Sequence, residues 1–339
     1  MKQITFFVGT DVSKEWLDMS IVKEGRIVHH AQIDNKATAI RSWLRQTGKE
    51  FGYGMEDTLF SMEFTGIYNH HLLEVLHAKE AMVWLIPGLQ ISEGSSCGIR
   101  RGKSDKQDAG RIALYASKNP EQVRLWRKPR QVIQELQMLL MLREKLQRTK
   151  HQYETTLKEY QGFSDTALCK RVKETARAVL KTTRQELVDV EKEMSRLIQG
   201  DQRLSELHGY ITSVESVGLI TAVNMLVTTN EFLSISEAKQ YACYAGVAPF
   251  KDESGKVRKK QKVSHKANKK MKKLFHLLAM SAIRMKGEMK AYYDRKLAEG
   301  KAKMSVLNAI RNKIILRIFS CVKNKKLYEK NYVYSLAKP

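Results

Sequence analysis

The stretches Ile4-Thr-Phe-Phe-Val-Gly-Thr-Asp11 and Thr58-Leu-Phe-Ser-Met-Glu63 decide the fold of the first part of this chain. Each is a short apolar run of the kind found in buried strands, and each ends on an acid. Two further acids, Asp105 and Asp108, stand where a helix is predicted to begin. Acids at strand ends and at a helix start can converge on one point, where carboxylates bind hard divalent cations. The sequence therefore predicts a metal site built from these four acids.

The neighbours of the acids favour this prediction over solvated surface positions, which are the alternative for each acid taken singly. Gly9 lets other backbone approach closely beside Asp11. Glu63 is followed by a hydroxyl and a glycine on what is predicted to be a sharp strand-to-helix turn. Asp105 and Asp108 are three residues apart, so they share one helix face. The alternative for that pair is to complement the helix dipole.

Working outward, the first 120 residues alternate between strand and helix patterns. Strands are predicted over 4–8, 16–22, 27–33, 58–63 and 81–86, and helices through 40–44, over 68–79 and from 105. The dipeptide Glu24-Gly25 predicts a tight hairpin turn, and Asn35 is predicted to cap the first helix. The order, three strands followed by alternating helices and strands, is that of the ribonuclease H-like fold. That fold places the acids of its first and fourth strands side by side.

Composition predicts a polyanionic partner. The chain of 339 residues holds 60 Lys and Arg against 36 Asp and Glu, a formal charge of +24. Nucleic acid is the first candidate for such a partner, and a membrane surface is the alternative. However, no apolar run is long enough to span a bilayer, and the start of the chain is charged too soon for a signal peptide. The four cysteines are far apart and form no CxxC pair, which favours reduced thiols in a cytoplasmic protein.

From about residue 131 the pattern changes to long helices. Apolar residues recur every seven positions at Val132, Leu139, Leu146, Tyr153 and Tyr160 and, after a break at 162–165, at Leu180, Leu187 and Met194. Two long helices with a short turn form either a hairpin that packs within one chain or an oligomerising coiled coil, and the two interpretations stay open. The last third of the chain is predicted to be helical and strongly basic.

Ser254 is a second candidate site. A serine before a glycine is usually part of a turn. However, residues 251–273 hold eleven Lys or Arg against two acids. A hydroxyl among these cations could attack phosphorus, with Lys256 and Arg258 neutralising the phosphate oxygens. The basic run is predicted to bind nucleic-acid phosphates rather than to form a solvated helix face, through Lys256, Arg258, Lys259, Lys260, Lys262, Lys266, Lys269 and Lys270.

These motifs, in this order, resemble the DEDD transposases of the IS110 insertion-sequence family, which also includes the Piv-type DNA invertases. The resemblance rests on Gly9-Thr-Asp-Val-Ser-Lys14, Glu63-Phe-Thr-Gly-Ile-Tyr68, Lys103-Ser-Asp-Lys-Gln-Asp-Ala109, Tyr244-Ala-Gly-Val-Ala-Pro249, Ser254-Gly255 and Lys266-Ala-Asn268. It covers most of the chain. One departure is Asn268, which stands where the family usually has a glycine.

The resemblance implies three domains: a RuvC-like DEDD catalytic domain (1–125), coiled-coil oligomerisation helices (126–204) and a C-terminal transposase domain (205–339). Asp11, Glu63, Asp105 and Asp108 would bind Mg²⁺, for which Mn²⁺ could substitute. Ser254 would be the nucleophile that forms a phosphoserine link to DNA, so that all five residues are catalytic.

The resemblance also implies partners. A structured non-coding bridge RNA would pair with donor and target DNA, and the protein would form dimers that join into tetramers on DNA. The expected location is the prokaryotic cytoplasm, at the nucleoid. Two alternatives stay open: a RuvC-like structure-selective endonuclease that uses water, and a non-enzymatic nucleic-acid-binding scaffold.

Overall fold

The computed structural model of the chain describes residues 4–63, 66–88, 90–91, 105–163, 165–254, 257–263 and 267–329. For residues 105–106, 162–163, 250–254 and 257–263 it describes the backbone alone. The chain forms two compact units, Met1–Lys128 and Pro129–Pro339. None of the helices in the described ranges is long and apolar enough to cross a membrane.

The first unit is built on one five-stranded sheet. Its strands are β1 (Phe6–Val12), β2 (Trp16–Lys23), β3 (Arg26–Asp34), β4 (Thr58–Glu63) and β5 (Met82–Ile86). The spatial order is β3-β2-β1-β4-β5. Strands β1, β4 and β5 run parallel, β2 pairs antiparallel with β1, and β3 pairs antiparallel with β2. This is the topology of the ribonuclease H-like, or RuvC-like, fold, so the predicted fold class is confirmed.

Helices cover both faces of this sheet. They are α1 (Ala37–Phe51), α2 (His70–His77), which follows a 3-10 turn at Gly66–Asn69, and α3 (Asp105–Lys118). Alternation along the strands sends Val8 and Phe60 into a cluster with Trp43 of α1 and Leu72 of α2. The opposite side chains of the strands pack in a second cluster with α3. Burial of each large apolar side chain stabilises the unit by about 1.5–3 kcal/mol.

Two local predictions can be compared with the structure: the tight turn between β2 and β3, and the cap of helix α1. Glu24 and Gly25 both have positive φ (50° and 72°), as a two-residue hairpin turn requires, so that prediction is confirmed. The prediction that Asn35 caps α1 is wrong, because Lys36 occupies the cap position and no side chain caps the helix. Instead the Asn35 side-chain amide donates to the carbonyl oxygens of Ser13 and Tyr68, both at 2.9 Å. These bonds tie two loops together at one end of the sheet.

The second unit is mainly helical. Its helices are α4 (Gln131–Phe163), α5 (Thr166–Gln199), α6 (Gln202–Thr212), α7 (Leu219–Thr229), α8 (Ala238–Tyr244), α9 (Lys269–Ala282), α10 (Glu288–Ala298) and α11 (Lys303–Asn324). One large apolar core runs through them, and Tyr241 and Phe275 are among its fully buried side chains.

The two longest helices, α4 and α5, form an antiparallel hairpin whose two ends differ. At the base, Leu136 and Met194 are fully buried in the core that the shorter helices share. Toward the tip, Tyr153, Tyr160 and Val179 stay 40–44% exposed. The interpretation of the heptads as an intrachain core therefore holds at the base. Toward the tip, the described apolar side chains of the hairpin lie outside the core that the shorter helices share, and several of them stay exposed.

The last third, predicted to be helical, also contains two strands, at residues 249–254 and 257–263. Strands β6 (Pro249–Ser254) and β7 (Val257–Val263) pair there in an antiparallel ribbon. The physical reason is that four of the seven residues of β7 are Lys or Arg. An extended strand spaces consecutive cations about 3.3 Å apart along the chain and sends them to alternate sides, whereas a helix would crowd them.

Candidate active site

Asp11 and Glu63 meet at the same end of the sheet. Thr10 of β1 pairs with Met62 of β4, so Asp11 and Glu63 are the next residues along two adjacent parallel strands. Because side chains alternate along a strand, Asp11 lies on the same face as Gly9, and Glu63 on the same face as Ser61. Gly9 and Ser61 are themselves paired. Both acids therefore belong to one face of the sheet, at neighbouring positions.

Helix α3 covers that face, and Gly9 allows it to lie directly on the backbone of β1. A Cβ atom built on Gly9 would overlap the Ala109 carbonyl oxygen and the Ala113 amide nitrogen, and would stand 2.8 Å from the Ala113 side chain. No residue with a side chain fits at this position unless the helix moves. The glycine of the Gly9-Thr-Asp11 motif is thus required for contact between a strand and a helix.

Helix α3 also carries the other two predicted acids, Asp105 and Asp108, in its first turn. Phe7 packs against the apolar cluster that includes Ile112, Tyr115 and Ala116, from the middle and end of the helix. Helix α3 therefore packs on the sheet face that carries Asp11 and Glu63. Asp108 lies on that helix five residues before its contact with Gly9 at Ala113. The side chain of Asp105 lies outside the described residues.

The carboxylates of Asp108 and Glu63 have different surroundings. Asp108 is half-buried, and its Oδ1 accepts a hydrogen bond from the guanidinium of Arg111 at 2.7 Å. Glu63 is exposed, and its carboxylate occupies the space where a side chain on Gly88 would stand. The Asn69 side-chain amide, which is fully buried, donates to the Glu63 carbonyl oxygen at 2.9 Å. This bond holds the backbone at the turn after β4.

Asp18 is an acid of this face that the sequence analysis missed. It is the cross-strand partner of Asp11, is 6% exposed, and accepts a hydrogen bond from the Gln32 amide at 3.1 Å. His30 Nε2 lies 3.5 Å from Asp18 Oδ1, and His30 Nδ1 lies 3.1 Å from the Ser20 hydroxyl. A sequence pattern that indicates this acid does exist, because in β2 Asp18 and Ser20 alternate with apolar residues and so share one face of the strand. Pairing of β2 with β1 then sets Asp18 opposite Asp11.

The side chains on this sheet face are of the chemical type that binds a divalent cation. Carboxylate oxygens are the ligands that Mg²⁺ prefers, and Gly88 leaves the space that the Glu63 carboxylate occupies. Ser61 Oγ, on the same face, is buried without a hydrogen-bond partner. Within the described ranges no three His, Cys, Asp or Glu side chains already stand close enough to hold a metal ion. The four-acid metal site stays a prediction.

Ser254 belongs to the second unit, as the last residue of β6. It pairs with Val257, the first residue of β7, so it borders the tip of the ribbon. The backbone of Arg258, Lys259, Lys260 and Lys262 lies in β7. Lys256 and Lys266 lie outside the described residues.

Lys269 and Lys270 open α9, directly after Asn268. Asn268 is the helix cap: its side-chain oxygen accepts from the Met271 amide at 3.0 Å, and its side-chain nitrogen donates to the Tyr244 hydroxyl at 2.7 Å. These two bonds explain an asparagine at a position where glycine is usual. Lys269 is exposed, and Lys270 forms an ion pair with Glu144 of α4, so one predicted nucleic-acid contact has an intrachain partner.

Two sequence profiles match the chain. The DEDD transposase profile of IS110, described as "Transposase", matches residues 8–161, and one described as "Transposase IS116/IS110/IS902 family" matches residues 208–294. The pilin gene-inverting protein of Moraxella bovis is 22% identical over 330 residues, which are 96% of this chain and 98% of that protein. The "insertion element IS110 uncharacterized 43.6 kDa protein" of Streptomyces coelicolor is 29% identical over 119 residues, which are 35% of this chain and 29% of that protein.

Solved structures similar to part of the chain include two of RuvC. Thermus thermophilus RuvC has a TM-score of 0.30 at 13% identity, covering 36% of this chain and 99% of that one. T. thermophilus RuvC in complex with a Holliday junction substrate has a TM-score of 0.28 at 12% identity, and the match covers 34% of this chain and 95% of that one. The fold assignment rests on the strand order and pairing described above.

Proposed function

Because the chain belongs to the IS110 family of transposases, we propose that it is a DNA recombinase that cuts and rejoins strands with the help of Mg²⁺ and a serine nucleophile. The observation that supports the proposal is that two adjacent parallel strands carry Asp11 and Glu63 on one sheet face, and that α3, the helix that carries Asp105 and Asp108, covers this face. The near-full-length likeness to a gene-inverting protein favours a recombinase over a hydrolase, since inversion of a gene requires both cutting and rejoining of DNA.

In this proposal Asp11, Glu63, Asp105 and Asp108 bind Mg²⁺ or, as a substitute, Mn²⁺. A cation held by these acids would supply Lewis-acid chemistry that neutralises charge on the scissile phosphate. The protein's own part is to hold four acids whose mutual repulsion is relieved when a cation binds. The Arg111 guanidinium already holds the Asp108 carboxylate by a hydrogen bond, and Gly88 leaves room for the carboxylate of Glu63.

Ser254 performs the bond exchange. Its Oγ forms a bond to phosphorus and loses its proton to a base or to solvent, while one bond from phosphorus to a deoxyribose oxygen breaks and that oxygen gains a proton. The resulting phosphoserine ester keeps the energy of the phosphodiester, so a sugar hydroxyl of another strand can attack it and restore Ser254. Lys256 and Arg258 neutralise the non-bridging phosphate oxygens.

The nucleic-acid partners follow from the charge and the family. The ribbon β6–β7 and the start of α9 concentrate cations in a chain of net charge +24, which suits donor and target DNA and a structured guide RNA. In this proposal base pairing by the RNA selects the sequence and the protein binds backbone, as in other RNA-guided systems. Sequencing of the RNA that co-purifies with the protein tests this part, and a random RNA population would contradict it.

The tip of the α4–α5 hairpin is proposed to contact a second copy of the chain. Tyr153, Tyr160 and Val179 are among the apolar side chains left exposed there, at a spacing that suits helix-to-helix packing. Continued contacts of this kind would build the dimer and, on DNA, the tetramer.

The experiment that tests the reaction compares two variants with the natural chain on a DNA substrate that carries one end of the insertion sequence. Ser254→Ala should abolish both cleavage and the covalent protein–DNA adduct seen on a denaturing gel. Asp11→Asn should also abolish both, because it removes a metal ligand. A RuvC-like hydrolase would still cut DNA as the Ser254→Ala variant. A non-enzymatic scaffold would bind DNA equally well as the natural chain and as either variant, and none of the three would cut it. A covalent adduct that persists in Ser254→Ala would refute the role of the serine.

A further inference from the structure

Arg311 is a buried cation without a carboxylate partner among the described residues. It lies on α11 and is 5% exposed. Its guanidinium contacts His276 Nδ1 of α9 at 2.7 Å and, at a longer 3.4 Å, Asn308 Oδ1 of its own helix, while its Nε has no hydrogen-bond partner. We call Arg311, His276 and Asn308 the Arg311 cluster.

The partners of Arg311 do not carry negative charge. A guanidinium only donates hydrogen bonds, so His276 Nδ1 must accept, and the imidazole proton must sit on Nε2. Burial, together with the neighbouring Arg311, lowers the pKa of His276, which keeps it neutral at pH 7. Burial likewise lowers the pKa of Arg311, although an arginine stays charged at neutral pH. The cluster therefore holds one unit of positive charge that no described side chain balances.

Other arginines of this unit show how unusual that is. Arg317, less than two turns further along α11, pairs with Glu288 at 2.5 Å. Arg130 is held by Glu231 and Asp201. An isolated buried charge is costly, and native proteins pair such charges with an anion. For Arg311, that anion must come from outside the described part of the chain.

The surroundings indicate which anion. Lys269, Lys272 and Lys273 stand on α9 in the two turns before His276, and none of them has an ion pair in the described part of the chain. The Asn308 side-chain amide donates to the Val247 carbonyl oxygen at 2.8 Å, two residues before β6 begins. The cluster thus lies at the base of the ribbon that ends in Ser254, beside a lysine-rich helix face. Such a line of cations matches a phosphate backbone better than a single small anion.

We propose that the Arg311 cluster binds a phosphodiester group of the DNA strand that the Ser254 ribbon engages. His276 and Asn308 contact the guanidinium and are only half-buried, so in this proposal the phosphate approaches Arg311 on their side. Of the five N–H groups of the planar guanidinium, two contact Asn308 and His276, so three are left, enough for two oxygens of one phosphate. The identification of the strand as DNA rests on the function proposed above, whereas the anion site rests on the cluster itself.

The test uses the full chain without Mg²⁺, so that binding is measured apart from any reaction. Fluorescence anisotropy with a labelled 30-nucleotide DNA is recorded over a series of salt concentrations. Arg311→Gln should weaken binding about tenfold and lower the slope of log affinity against log salt by about 1, as loss of one phosphate contact predicts. The matched control is Arg317→Gln, on the same helix, whose cation is already paired with Glu288 and which should change affinity less than twofold.

A second measurement separates binding from folding. Because Arg311→Gln removes an unbalanced buried charge, its melting temperature in the absence of DNA should equal or exceed that of the natural chain. If the variant does not fold, Arg311→Lys replaces it, and this variant should keep the salt slope while losing affinity. Unchanged affinity and slope in the variant tested, or an equal loss in Arg317→Gln, would overturn the proposal.

The two proposals fail separately. A loss of affinity confined to an RNA of the same sequence would overturn the assignment to DNA. Cleavage that persists in Ser254→Ala would sink the recombinase mechanism while leaving the Arg311 result untouched.

Discussion

Replacement of Gly9 by alanine tests the contact that orients the acids. The added Cβ would overlap backbone atoms of Ala109 and Ala113, neither of which can rotate away as a side chain could. Helix α3 must therefore shift by about 1 Å from β1, and overpacking of this kind costs about 1–3 kcal/mol. In a unit of this size, that loss lowers the melting temperature by roughly 5–10 °C.

The same shift should reduce activity more than it reduces stability. Asp105 and Asp108 are carried by α3, whereas Asp11 and Glu63 are carried by the sheet, so the helix cannot move without separating the two pairs. A misplacement of about 1 Å can lower a rate by on the order of 100-fold. The assay is Mg²⁺-dependent DNA cleavage at a temperature well below the melting point of the variant, together with calorimetry of both proteins.

A matched control for Gly9→Ala is Gly48→Ala, in the same unit. Gly48 lies inside α1, and a Cβ there would meet nothing closer than 3.6 Å. Alanine in a helix interior is favoured over glycine, so this variant should gain about 0.5–1 kcal/mol and keep its activity. If Gly9→Ala melts and cleaves like Gly48→Ala, then α3 does not rest on β1 as described, and the derivation of the site fails.

Two further predictions concern the second unit. Glu231, whose side chain is 1% exposed, binds both Arg130 and Arg203, so Glu231→Ala should cost about 3–5 kcal/mol in urea unfolding, and a loss below 1 kcal/mol would contradict the pairing. Burial lowers the pKa of His208 from 6.5, so the unfolded chain takes up a proton first as the pH falls. Stability should therefore decrease with decreasing pH below about 6.5, and His208→Gln should flatten that decrease in pH-dependent thermal melts.

Much of the first unit could be predicted because its signals are local. Strand alternation, the Glu24-Gly25 turn and the apolar face of α1 depend on neighbours in sequence, and the structure confirms them. The failures have a different cause. Asn35 has the residue type of a helix cap, but two carbonyl groups brought close by the fold compete for its amide. In the same way, the high charge of residues 249–254 and 257–263 is compatible with a helix or a strand, because it carries no period of apolar residues that would distinguish the two, and only the structure shows a β-ribbon there.

For the candidate site, too, some residues could be predicted from the sequence and others only from the structure. The residue types and the order of Asp11, Glu63, Asp105, Asp108 and Ser254 were readable from the sequence. Asp18 was not identified, although its alternation with apolar residues was visible, because only the pairing of β2 with β1 sets it opposite Asp11. The same holds for Arg311, which in sequence is one arginine in a basic helix and in the structure is a buried charge without a balancing acid.

The sequence by itself determined the fold class, the excess of positive charge and the identity of the acids, since each depends on residue type and short-range period. Only the tertiary structure decided which groups meet: that α3 lies against Gly9 on the sheet face that carries Asp11 and Glu63, and that the base of the long helical hairpin is core while its tip is exposed. The physical reason is that burial and pairing depend on residues far apart in the chain, whose approach is set by packing of the whole unit.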